Sequence, residues 1–304
     1  MSDKKKDKIK ETVNSAVRKN ILKDRIFEGL VITLSLLSIV PLIFILSYIF
    51  AKGFPKLFIP EFWVGIPPSG QSKNVIEAVG MNVGGIANGI IGTFLIVLMG
   101  GLIAVPFGVL TGVYLAENRQ SKVANAIRVA VDMIQGIPSI IFGIFVNIWW
   151  VTTMKGGYSA IAGSVSLALM MLPIVIKSTE ETMILIPDSL KEAAVALGTP
   201  YYKVLLRIVL PAGLSGIVTG VLVGITRIAG ETAPLLFTAF GNPNINLNVT
   251  EPMETLPTLI YNNARSASPN LIENAWGASA ALVIIVLILN ILTKVVVNRW
   301  KVKF

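Results

Sequence analysis

The chain has 304 residues, of which 54% are hydrophobic and only 14% charged, with a mean hydropathy of +0.74 and a net charge of +9. Soluble domains carry about 25% charged residues, so these figures exclude a water-soluble fold and leave the bilayer as the surrounding medium. Cysteine and histidine are absent, which excludes disulfides, thiolate chemistry and imidazole metal ligands or proton shuttles.

Residues 1–29 form a basic segment, with nine lysines and arginines before Phe27. Ile9, Val13, Val17 and Ile21 recur at helical spacing, which fits either a helix lying on the membrane surface or a solvated tail. A cleavable signal peptide is not expected. The apolar stretch that follows is too long for an h-region, and Ser47 to Lys52 lacks an A-x-A type site.

Spans of about 20 apolar residues are needed to cross the hydrocarbon core. The sequence offers six, at about 30–51, 86–116, 125–153, 156–176, 210–240 and 275–297. They are continuous apolar runs without period-two alternation, so they read as helices and not as barrel strands. Residues 30–304 thus make a single all-α transmembrane domain. Pro106, Pro138 and Pro173 are expected to kink the helices that contain them. Asp132, four residues after Arg128, suits a local ion pair at the cytoplasmic end of the third span. Trp149, Trp150 and Trp276 sit where interfacial anchors belong.

Placing both termini in the cytoplasm puts 20 of the 26 basic residues in inside segments and 5 outside, with Arg227 in a span. That asymmetry is a positive-inside signal. It accounts for the net charge by topology and anionic lipid, without nucleic acid.

The cytoplasmic loop 177–210 carries ordered helix signals. Ser189 and Glu192 fit a capping box, Leu190, Ala193, Ala194 and Leu197 share a face, and Gly198 fits a helix stop. Thr199 and Pro200 fit the cap and first position of a second helix. A short alanine-lined helix at this face suits either a docking protein or an interfacial position without a partner. No Gly-Lys dipeptide occurs, so a nucleotide-binding P-loop is absent. Any ATP hydrolysis must then reside on another chain.

Arg227 and Glu231 lie inside the fifth span, four residues apart and so neighbours on one helical face. Gly216, Gly220 and Gly224 fall in the same sector of about 80 degrees, where a neighbouring helix can approach closely. Pro234 and Gly230 favour a bend just beyond the pair. Intramembrane charges normally face a bundle interior or an aqueous path. Two readings stand: an anion gate, with Arg227 offering charge to the cargo and Glu231 holding Arg227 between cycles, or an ion pair that ties helices together.

Glu192, Ala193, Ala194 and Gly198, followed after nine intervening residues by Ile208, Leu210 and Pro211, resemble the EAA loop of ABC-importer permeases. The resemblance implies that Glu192, Ala193, Ala194, Gly198, Leu210 and Pro211 couple to an ATPase. The stretch RIAGETAPLLFTAFG from Arg227, together with Gly84 to Glu117 and Gly136 to Phe145, resembles the phosphate (Pst) branch of that family, its PstA-type half in particular. It implies a type I importer permease fold in the cytoplasmic membrane, itself no enzyme, moving inorganic phosphate by alternating access along a path that includes Arg227 and Glu231. It further implies a second, PstC-like permease, two ATPase subunits holding ATP and Mg, and an extracytoplasmic phosphate-binding protein. No catalytic residue, metal or cofactor is expected on this chain. The alternatives are a permease for another oxyanion or a phosphonate, a stand-alone secondary anion transporter, and a structural membrane anchor.

Overall fold

Helix α1 runs without interruption from Asp3 to Gly53, through Ile9, Val13, Val17 and Ile21 and across Pro41. The computed structural model describes residues 3–67 and 84–300; Lys73 in the outer loop and Lys301 and Lys303 near the C-terminus lie outside that range. Two compact units are present, Met1–Ala51 and Lys52–Phe304. The first is nearly all α1, whose apolar window has no buried residue. A helix that exposes leucine, isoleucine and phenylalanine on all sides is stable only where its solvent is hydrocarbon.

The second unit begins with a 3-10 turn, Phe54–Phe58, and the short α2, Pro60–Val64. The helices that follow are α3 (Ala87–Glu117), α4 (Lys122–Gly136), α5 (Ser139–Thr153), α6 (Ala160–Ile184), α7 (Asp188–Ala196), α8 (Tyr201–Ala229), α9 (Ala233–Thr238), α10 (Leu256–Ala264) and α11 (Pro269–Trp300). Among the described residues the sole β feature is an isolated bridge between Phe240 and Met253. Helices α1, α3, α6, α8 and α11 are long and apolar enough to cross a membrane, and α4 with α5 supplies a sixth crossing if the bent pair is one span.

That third segment is not one helix. Its axes turn by 100° between Gly136 and Ser139, because Pro138 cannot donate a backbone hydrogen bond and Ile137 before it is held extended at ψ 130. Pro106 and Pro173, by contrast, lie inside α3 and α6, each of which is a single helix.

Helix α6 is the centre of the bundle; 67% of its apolar window is buried, against 28% for α3, α8 and α11. Small residues let its neighbours close on it. From α3, Gly100, Ala104, Gly108 and Gly112 are buried, and a Cβ on Gly112 would lie 2.6 Å from the Ile176 carbonyl oxygen. From α8, Gly213, Gly216, Gly220 and Gly224 meet Met183, Thr182, Ser178 and Met171 in turn. The glycine face expected on the fifth span therefore docks within the chain, on α6.

At its C-terminal end α6 outlasts its apolar run, reaching Ile184, and the extra turns carry charges that bind α4. Arg128 pairs with Glu180 at 2.6 Å, and Asp132 with Lys177 at 2.6 Å. The expected local pair between Arg128 and Asp132 is replaced by these contacts between helices, since α4 lies alongside the charged extension of α6. Arg128 also donates from Nη2 to the Leu115 carbonyl (2.7 Å) and from Nη1 to that of Arg119 (3.2 Å). It thereby satisfies carbonyls at the C-terminal end of α3 with a positive charge, where the helix dipole favours one.

Candidate functional site: a broken membrane helix and a short exposed helix

Helix α8 stops at Ala229, and Gly230 closes it with φ −97 and ψ 0. Only long turn-type bonds continue beyond, Gly230 N–H to the Arg227 carbonyl (3.4 Å) and Glu231 N–H to that of Ile228 (3.3 Å). Arg227 thus sits in the last turn of α8, while Glu231 belongs to the non-helical link before α9. Among the described residues no ion pair joins them, which differs from the helical neighbours expected of i and i+4. The cause is the early break: a glycine followed within four residues by a proline ends the helix between the two charges.

The depth of Arg227 follows from the packing. Gly224 meets Met171, eleven residues into α6, and the two helices run antiparallel. Three residues beyond Gly224, Arg227 is about 12 Å along the bundle from the N-terminal end of α6 at 1.5 Å per residue. Its side chain is exposed on the bare chain and Glu231 is half-buried. An exposed guanidinium at that depth is stable only against water, an anion or another protein surface. The apolar groove of about 540 Å³ between α3, α8 and α11, lined by residues such as Leu98, Val105, Ile225 and Val286, cannot serve the charge. It suits hydrocarbon.

Helix α9 packs on α5, where a Cβ on Gly143 would lie 2.6 Å from the Cα of Pro234, and Asn147 Nδ2 donates to the Phe237 carbonyl at 2.7 Å. The chain then crosses through Gly241, at φ +98, into an Asn-rich strap held by its own side chains. The strap returns to the bundle at Glu254, a residue that no motif or periodicity singles out. Glu254 is buried at 8% exposure; its Oε1 accepts from Thr258 Oγ1 at 2.5 Å. Thr255 and Thr258 form the capping box of α10. Burial pushes the Glu254 carboxyl up to about 7, against the opposing pull of hydrogen bonds from Thr258, the Thr255 backbone and Asn262.

A carboxyl whose folded pKa is raised stabilises the fold fully below its unfolded value, near 4.5, and that contribution is lost as pH rises through about 7. Glu254→Gln is therefore expected to be more thermostable than the wild type at pH 8, by about 3 kcal/mol, and equal to it near pH 4. Thermal unfolding in detergent across that range checks this; a pH-independent difference would show that folding leaves the Glu254 pKa unshifted.

Beyond the C-terminal end of α6, α7 begins at Asp188 behind Pro187. Ser189 lies inside the first turn and makes no capping bond, so the Ser189–Glu192 capping box is not formed. Pro187 at φ −61 starts the helix two residues early. Gly198, at φ +79, ends it, and Pro200 precedes the first residue of α8. Of the face expected on α7, Ala194 is buried and Leu190 half-buried, whereas Ala193 and Leu197 are exposed. Glu192 is exposed too, and Leu185 and Leu197 are 82% and 86% exposed on either side of α7. Leu210 and Pro211 open the regular α-helical part of α8 after a π turn at Leu205–Val209. They sit on the element that leads from α7 toward Arg227.

The family described as "Binding-protein-dependent transport system inner membrane component" matches residues 104–300. A "Phosphate transport system permease protein PstA" of Haemophilus influenzae is 41% identical over 254 residues, covering 83% of this chain and 86% of that protein. The protein of the same name from Yersinia pestis is 39% identical over 280 residues, covering 92% and 91%. Among solved structures, an inward-facing conformation of the MetNI methionine ABC transporter superposes with a TM-score of 0.58 at 18% identity, covering 76% of this chain and all of that one. The likeness establishes the fold as that of a type I ABC-importer permease.

Proposed function

The chain belongs to the family of binding-protein-dependent transport system inner membrane components, and from that premise we propose that it is the permease through which an ATP-driven importer passes inorganic phosphate. The observation that carries this reading is the cation Arg227, exposed at mid-depth beside a break in its own helix and joined to no carboxylate among the described residues. A discontinuous helix in a membrane is tolerated where it borders a cavity or another protein. A guanidinium matches the oxygens of a tetrahedral oxyanion with parallel hydrogen bonds. The names of the relatives support phosphate as that oxyanion.

The path is shared with a second, PstC-like permease subunit, which covers the face that exposes Arg227. Glu231, on the link after the break, borders the same path, so that Arg227 and Glu231 move on separate segments as access alternates. Two ATPase subunits, which hold ATP and Mg, dock on α7 through Glu192, Ala193 and the exposed leucines beside them. Leu210 and Pro211 carry the motion into α8, and Gly198 makes the turn between. An extracytoplasmic phosphate-binding protein delivers the anion at the outer face. Both termini are cytoplasmic, a placement that the distribution of basic residues supports.

Affinity purification of the tagged full chain from its own host is expected to bring down an ATPase chain in stoichiometric amount. Transport of phosphate by the chain alone in liposomes, without an ATPase, would identify a secondary transporter and overturn the importer reading.

A further inference from the structure

Helix α7 touches the rest of the chain at few points. Its buried residues are Lys191 and Ala194 alone, and Lys191 directly precedes the Glu192-Ala193-Ala194 run. The Lys191 ammonium reaches Glu117 Oε1 at 2.7 Å and the Asp188 carboxylate at 3.4 Å. The second oxygen of Glu117 accepts from the Tyr201 hydroxyl, at the start of α8. The Lys191 and Glu117 side chains are only 10% and 13% exposed. Removing one partner from a pair so shielded leaves an uncompensated charge, which costs far more than at the surface.

Glu117 is the last residue of α3. That helix lies against α6 at Gly108 and Gly112, and near its outer end Thr93 Oγ1 accepts from the Leu256 N–H at 2.8 Å, at the start of α10. One helix thus connects the docking face with the strap that follows the break at Arg227. A polar cleft of about 600 Å³, flanked by Arg119, Ser121 and Asp188, lies beside the pair and leaves α7 room to pivot about it.

We propose that Glu117 is the joint through which movement of α7 reaches the membrane helices, with Lys191 and Tyr201 as positioning residues that hold its two carboxylate oxygens. The inference rests on the importer reading, since it is energy from an ATPase on α7 that the joint passes on. The surface of α7 makes the docking contact; the buried side of the same helix converts that contact into a pull on α3.

The test uses the complete importer in liposomes, with ATP hydrolysis and phosphate uptake followed on the same vesicles. Lys191→Met and Glu117→Gln are expected to retain the bound ATPase and its hydrolysis while phosphate moved per ATP falls about tenfold, the size of a typical coupling energy. Lys191→Arg, which keeps a positive charge beside Glu117 and Asp188, is expected to retain most of that ratio. A wild-type ratio in both single variants overturns the proposal, as does loss of hydrolysis and uptake in proportion in both. Should the single variants fail to assemble, Tyr201→Phe decides: it removes one hydrogen bond from Glu117, and an unchanged ratio overturns the joint. If the wild type carries sulfate in place of phosphate, the substrate reading fails while the same ratio, counted for sulfate, still decides the joint.

Discussion

Arg227→Gln is expected to lower ATP-driven phosphate uptake about a hundredfold while the permease stays assembled with its ATPase chains. Glutamine keeps most of the length and a hydrogen-bonding end but removes the charge. A charge-assisted hydrogen bond contributes about 1.5–3 kcal/mol and each 1.4 kcal/mol is a factor of ten, so loss of a bidentate contact to an anion is worth about two decades. Arg227 is exposed at the end of α8, remote in sequence and in depth from α7, and no ion pair among the described residues is broken by the change. Thermal stability should therefore be unaltered, which separates this account from one in which the arginine ties helices together. Uptake assays alongside melting curves check both halves; near-normal uptake would remove Arg227 from the path. Arg227→Lys is expected to recover part of the loss, since it restores the charge but not the planar fork.

Gly92→Ala should be the most destabilising of the small substitutions in α3. A Cβ there would lie 1.8 Å from the Glu254 carbonyl oxygen and 2.9 Å from Met253 Cγ. The nearer atom is backbone, anchored by the capping box of α10, and cannot swing aside as a side chain does. Overpacking of well-filled sites costs about 1–3 kcal/mol, occasionally more, and this position belongs at the upper end. Gly101→Ala, nine residues along the same helix, has nothing within 4 Å of its added methyl, and the better helix propensity of alanine should stabilise by about 0.5–1 kcal/mol. Comparing the two variants by thermal unfolding isolates close approach from helix propensity. Equal behaviour would mean that the strap does not seat against α3.

Much of this architecture is legible in the residues alone, because the bilayer imposes one rule on every span: long apolar runs must be helices. The spans, the EAA-like run at Glu192 and the charged residues of the fifth span all follow from local sequence. The 100° turn at Pro138 was only half legible, as proline signals a break but not its angle, and Pro106 and Pro173 carry the same signal in unbroken helices. The ion pairs were not legible. Arg128 meets Glu180 and Lys191 meets Glu117 across 52 and 74 residues of chain, and no periodicity records which helix ends lie side by side. Glu254 was hidden for the same reason, its burial being created by α3 and the strap. The separation of Arg227 from Glu231 turned on a single helix terminus at Gly230, and termini are the least certain feature of any helix read from sequence.

On the reading proposed above, this chain forms the path of an ATP-powered phosphate importer. The most direct measurement reconstitutes the chain with its companion permease, ATPase chains and binding protein in liposomes, and follows radiolabelled phosphate with and without ATP in the presence of excess sulfate. The account predicts accumulation that requires ATP and persists against sulfate. Accumulation without ATP, or abolished by sulfate, would contradict it.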